Sequence, residues 1–163
     1  MAEESKNNET YQNEEFEPRV RWCNPHVLEL MTFVGKDIFA IAHDIYIIFF
    51  NYKTSTETVY VANSLERGDG VDALAGHRTH MFAFAEKVQN ARIFVVMYPS
   101  FNILAELKEV DAKRFKAICM MECDLIAGLT GFPTYLVTVW CWRTSQRLYH
   151  VETGVKQRRQ LFM

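Results

Sequence analysis

Cysteine and histidine are the side chains of this 163-residue chain best suited to bond making, and there are four of the first and five of the second. His77-Arg78-Thr79-His80 offers two imidazoles at i and i+3, which with Cys119 and Cys123 would supply four zinc-type ligands. Their spacing is not that of a finger or a ribbon. Cys119 and Cys123 also lie in and just after an apolar run, where thiols serve as small core residues. Cys141 stands between Trp140 and Trp142 with no histidine or basic neighbour placed in sequence to lower its pKa, so packing is favoured over nucleophilic work. Glu122-Cys123-Asp124 is most simply a polar turn. "GDGVDALAG" has glycines but neither the strand–helix setting nor the Lys-Ser/Thr ending of a phosphate loop. The basic run Lys156, Arg158 and Arg159 suits an acidic partner, although short charge runs are usually solvated. The expectation is therefore no catalytic residue, no metal and no cofactor. A thiol- or metal-dependent enzyme is the rival reading.

The totals point the same way. Hydrophobic residues make up 49% and aromatic residues 13%, enough for one domain with a real core. A formal net charge of −2 gives no electrostatic case for nucleic acid or an anionic membrane. The opening MAEESKNNET has no apolar segment of signal-peptide type, and the longest strongly apolar run, 45–50, is too short to span a bilayer. The expected setting is cytoplasmic, with reduced thiols.

Residues 1–20 are rich in glutamate and poor in large apolar groups, so they are read as a disordered acidic tail. From Trp22 onward the chain is a series of short β-like runs separated by turn residues. They fall at 27–33, 38–42, 45–50 and 58–62, then 71–75, 80–85, 92–98 and 103–107. The last set is 115–121, 125–129, 135–142 and 147–151. Helical spacing competes only in "LAELKEVDAKRFKA", 104–117, where strand–loop–strand is preferred because of the repeat.

That repeat is seen when "IYIIFFNYKTSTETVYV", "RIFVVMYPSFNILAEL" and "LVTVWCWRTSQRLYHV" are laid over one another. Each is an apolar strand ending in an aromatic, a polar turn and a second strand. The aligned aromatics Tyr52, Tyr98 and Trp142 are 46 and 44 residues apart. Two further strands precede each segment, so a unit has four strands and a period of ~40–45 residues, the mark of a WD40 propeller blade. Tyr52, Tyr98, Trp140 and Trp142 are expected to form the structural core of the blades. In "VTVWCW", Val137, Val139 and Cys141 point one way and Thr138, Trp140 and Trp142 the other, toward a neighbouring blade. The Asp of the WD pair would sit at Asn51, Met97 and Cys141, none of them acidic, so aromatic packing is expected to replace its hydrogen bonds. Gly76-His77 mimics the GH of such repeats but follows its first strand.

The stretches "ARIFVVMYPSFNILAELK", "AFAEKVQNARIFVVMYP" and "LAGLTGFPTYLVTVWCWRTSQRL" resemble the large WD-repeat proteins of cilia and flagella, the family of cilia- and flagella-associated proteins 43 and 44. The resemblance runs over about 25–160 and is most specific in the last two units. It implies a non-enzymatic structural protein of the axoneme that tethers an inner dynein arm to the doublet microtubule. Partners would be axonemal proteins, with tubulin's acidic tails a match for the basic run. A WD40 protein–protein interaction module outside cilia is the alternative.

The expected fold is thus all-β: an incomplete WD40-like β-propeller of about three four-stranded blades, at approximately 26–63, 70–108 and 114–152, within a blade region of 21–163. Three blades are fewer than the ~4–8 that close a ring. Open outer faces are therefore expected, the last near Trp140, Tyr149 and Val151, with self-association through them or stability only with further blades or a partner.

Overall fold

The computed structural model describes residues 30–62, 70–108, 114–122, 124–132 and 135–153. The tail 1–20, Cys123 and the basic run Lys156, Arg158 and Arg159 lie outside them. Every element among the described residues is a strand, and no helix there is long and apolar enough to cross a membrane. Twelve strands form three sheets in chain order. The first holds β1 (Leu30–Val34), β2 (Ile38–His43), β3 (Tyr46–Asn51) and β4 (Thr56–Val61). The second holds β5 (Val71–His77), β6 (Met81–Glu86), β7 (Arg92–Met97) and β8 (Ile103–Lys108). The third holds β9 (Phe115–Met120), β10 (Leu125–Thr130), β11 (Leu136–Cys141) and β12 (Gln146–Glu152). Each sheet is an antiparallel meander in which every strand pairs with the next. The described residues of the stretch that competed as a helix fall in β8 and at the start of β9.

The three sheets share one register. Ile38 pairs with Asn51, Met81 with Met97 and Leu125 with Cys141, so the second and third strands superpose residue for residue. The alternation that forms each strand also gives each sheet two apolar faces. One carries small side chains on its second strand: Ala40 and Ala42 in the first sheet, Ala83 and Ala85 in the second. The other carries large ones: Phe82 and Phe84 in the second sheet, Ile126 with Trp140 in the third.

The sheets stack large face on small face. Phe82, Phe84, Phe94 and Val96 pack on Ala40, Ala42, Ile47 and Phe49. Phe49 lies 4.8 Å, centroid to centroid, from Phe82 and 4.9 Å from Tyr98. Ile126, Trp140 and Trp142 pack on Ala83, Ala85 and Val95. The alanines leave room for the aromatics, the alternation of large and small that close packing requires.

First strands lie side by side, and Gly76 permits the closest approach. A Cβ there would stand 1.8 Å from the carbonyl oxygen of Phe33. The Gly76 N–H donates to Thr32 Oγ1 at 3.0 Å, and the Gly35 N–H donates to the His77 carbonyl at 2.9 Å. Gly76-His77 therefore ends the first strand of its sheet and joins it to the sheet before.

Candidate interaction surfaces

One end of the stack is built from turns of a common plan. In each sheet the residue after the third strand donates its backbone N–H to the residue before the second: Tyr52 to Asp37 at 3.2 Å, Tyr98 to His80 at 2.8 Å, Trp142 to Asp124 at 2.9 Å. The turns that follow end in a left-handed residue, Ser55 at φ 53°, Phe101 at φ 58° and Ser145 at φ 54°. Serine adopts this region at modest cost; phenylalanine rarely does. Phe101 is held there by its ring, which packs against Phe49, Tyr60 and Tyr98.

The degenerate Asp position keeps a hydrogen-bonding role, contrary to expectation. Asn51 Oδ1 accepts the N–H groups of Lys53 and Thr54 at 3.0 and 3.2 Å, an Asx-type turn. Cys141 accepts the Thr144 hydroxyl and the backbone N–H groups of Thr144 and Arg143, and these bonds hold its thiol below the usual cysteine range. Met97 has less to satisfy, because Pro99 follows it and supplies no N–H. That turn closes through backbone alone: the Phe101 N–H donates to the Met97 carbonyl at 2.7 Å.

Charge at this end is paired. Asp37 Oδ1 receives the Tyr52 hydroxyl and Lys53 Nζ, both at 2.9 Å. The Lys53 bond chiefly holds the Asp37 carboxyl below its ordinary range, and Asp37 in turn pushes the Tyr52 phenol up. The third sheet repeats the pair at the equivalent positions, Arg143 Nε to Asp124 Oδ2, with the guanidinium 4.8 Å from the Trp142 ring centroid. Arg78 meets Glu122 at 3.1 Å between the second and third sheets.

Two ion pairs lie deeper, and sequence reading missed both. Glu86, 2% exposed, accepts Arg92 Nε at 2.7 Å and a second guanidinium nitrogen at 2.9 Å, while Arg92 lies over Phe94. Asp72 receives a forked pair from Arg114, which ties the second sheet to the third. A clue to the first exists: "MFAFAE" is a fully buried strand whose last residue is charged, six positions before an arginine. The second joins residues 42 apart and has no local signal.

The aromatics expected in the core divide. Trp140 and Trp142 are buried between the second and third sheets, with Phe115 edge-on to Trp140 at 6.1 Å. Tyr98 is half-buried against the first sheet. Tyr52 is not a core residue: it is 46% exposed. It belongs to the large face of the first sheet, which no described sheet covers, and its ring centroid lies 5.9 Å from that of Phe39. A second correction concerns Trp140. Val139 pairs with Tyr149 and Val137 with Val151, which puts Tyr149 and Val151 on the face opposite Trp140. Trp140 is thus inside, while Tyr149 and Val151 remain 68% and 59% exposed.

Two apolar faces are left that no described sheet covers. The first sheet presents Phe33, Phe39, Ile41, Ile48 and Phe50; the third presents Leu125, Ala127, Val137 and Val139, with Tyr149 and Val151 at its edge. Of the residues that suggested zinc, His77 Nδ1 is 2.7 Å from Thr79 Oγ1, and no cluster of three metal-type ligands occurs among the described residues.

No family model matches the chain. Cilia- and flagella-associated protein 44 of Mus musculus is 28% identical over 101 residues, which is 61% of this chain and 5% of that protein. Among solved structures, the RRP9 WD40 repeats superpose with a TM-score of 0.59 at 15% identity, over 73% of this chain and 35% of the other. U3-55K gives 0.61 at 15% over 76% and 37%, and a chain of the mitotic checkpoint complex 0.61 at 9% over 77% and 36%. The chain spans about a third of the length of these structures. Three stacked four-stranded meanders with this likeness make the fold that of WD40-type β-propeller blades, three in succession.

Proposed function

We propose that this chain is a non-enzymatic scaffold module of the ciliary or flagellar axoneme, whose blades hold other proteins in place. The observation that carries the protein-binding part is the pair of apolar faces that no described sheet covers, on a stack whose charged groups are largely paired. Contiguous exposed apolar residues mark an interaction surface. The axonemal part rests on the 28% identity to cilia- and flagella-associated protein 44. Contact with an inner dynein arm or the doublet microtubule is the partner class the family resemblance suggests.

Tagged protein expressed in ciliated cells tests the axonemal part. Retention along axonemes after detergent extraction is the expected result. Loss with the soluble fraction, with binding partners unrelated to cilia, would favour the alternative of a WD40 interaction module elsewhere in the cytoplasm. Tightly bound zinc in the purified protein would revive the metal-dependent enzyme.

A further inference from the structure

Each sheet ends in its fourth strand, and the three outer edges are not alike. In the second sheet the pairing register slips between Val95 and Val96, which makes Leu104 of β8 an extra residue. In the third it slips between Val139 and Trp140, which makes Leu148 of β12 an extra residue. Such a bulge kinks an edge and spoils it as a template for a further strand. Charges do the same, and these strands carry Glu106 and Lys108 in β8, Arg147 and Glu152 in β12. β4 has neither protection. It pairs with β3 in unbroken register from Thr56 to Val61. Its sequence TETVYV holds one charge, Glu57, and the rest is threonine, valine and tyrosine, which favour strands. This edge is fixed by the order of strands within the sheet and not by what covers the sheet's face.

We propose that β4 takes up an extended segment of a partner protein as a fifth strand of the first sheet. The Ala62 N–H donates to the Ile45 carbonyl at 2.7 Å, so Ala62 turns its backbone toward β3. Alternate residues of an antiparallel strand turn opposite ways, which leaves the N–H and C=O groups of Glu57, Val59 and Val61 on the outer side. The side chains beside the new strand define what it would carry. Glu57, Val59 and Val61 share one face, with the two valines 48% and 42% exposed. On the other face the Tyr60 ring is held against Phe82 and Phe101, at 5.7 and 5.2 Å between centroids, and offers a fixed shelf to a neighbouring side chain. The occupant is therefore a run of β-branched residues with a lysine or arginine beside Glu57, the one charge on this edge. In this mode of binding the main-chain bonds supply affinity and the flanking side chains supply selectivity. The proposal uses the edge of a blade and neither the axonemal reading nor the apolar faces, so each can fail alone.

Fluorescence anisotropy with the full chain and a short labelled peptide of valine and threonine, with a lysine at each end, tests this. Saturable binding is the expected result. Val59→Pro removes an outward donor without touching a bond to β3, and should weaken binding about tenfold or more, as expected for a lost hydrogen bond and a blocked edge. Glu57→Lys should weaken binding of this peptide and strengthen that of one with glutamate in place of lysine. Circular dichroism establishes that the variants fold, and Glu57→Lys, a change of an exposed side chain, carries the test if Val59→Pro does not. Absence of saturable binding to the parent protein would overturn the proposal. So would binding that both variants leave unchanged, which would put the peptide elsewhere. A parent dimer that Val59→Pro returns to single chains in sedimentation would overturn it too, since the edge would then pair with a second copy.

Discussion

Trp142 donates its backbone N–H to the carbonyl of Asp124 at 2.9 Å, and this contact sits at the end of the third strand in all three blades. It marks where the strand stops and the exposed turn begins. Trp140, two residues earlier, lies inside the sheet at 2% exposure, with its ring against Phe115. Trp142, at 5%, has the Arg143 guanidinium over its ring. Trp140→Ala should therefore cost more than Trp142→Ala, the first in the range of about 3–5 kcal/mol for a buried aromatic. Urea unfolding of both variants measures the difference. Equal midpoints would contradict this account of the third blade.

Asn51 closes its turn by accepting two backbone N–H groups. Asn51→Ala leaves both without that acceptor and should destabilise the protein by about 1 kcal/mol, while Asn51→Asp, which keeps the acceptor, should cost little. Thermal melting of the two variants side by side checks this. An alanine variant as stable as the parent would show that water replaces the cap.

The Cys141 thiol should ionise below the ordinary cysteine range, because the Thr144 hydroxyl and nearby backbone N–H groups stabilise its thiolate. Alkylation proceeds through the thiolate, so its rate at Cys141 should reach half-maximum at a lower pH than for a free thiol. Thr144→Val removes the largest contribution and should move that half-maximum upward. Alkylation followed by mass spectrometry over a pH series gives both values. An unchanged profile in Thr144→Val would rule out the hydroxyl as the cause.

Glu86 is the most buried carboxylate described, and Arg92 grips it by a two-pronged contact. Glu86→Ala would leave the guanidinium half-enclosed, with only Glu106, 3.3 Å away, to share its charge. The expected loss is about 3–5 kcal/mol. Replacing both partners with Glu86→Leu and Arg92→Met should recover much of it, since a well-packed apolar pair avoids the desolvation cost. If the double variant is no better than Glu86→Ala, the pair contributes attraction beyond mere compensation.

Alternation along each strand, turn residues between strands and a recurring aromatic near every 45th position made twelve strands in three blades legible without coordinates. These are local signals, because side-chain direction in a strand has period two and turn geometry involves neighbours in sequence. Residue parity divides "VTVWCW" into two faces, but it does not say which face a neighbour covers. Tyr52, Tyr98 and Trp142 are equivalent in sequence, and yet Tyr52 is exposed and Trp142 buried. The difference lies outside their own blades: among the described residues a sheet lies against the second and third large faces and none against the first. Nor does sequence show that Gly76 admits the Phe33 backbone, or that Arg114 reaches Asp72 across 42 residues. Burial and ion pairing are properties of what stands opposite a side chain, and only the stacking of the sheets decides that.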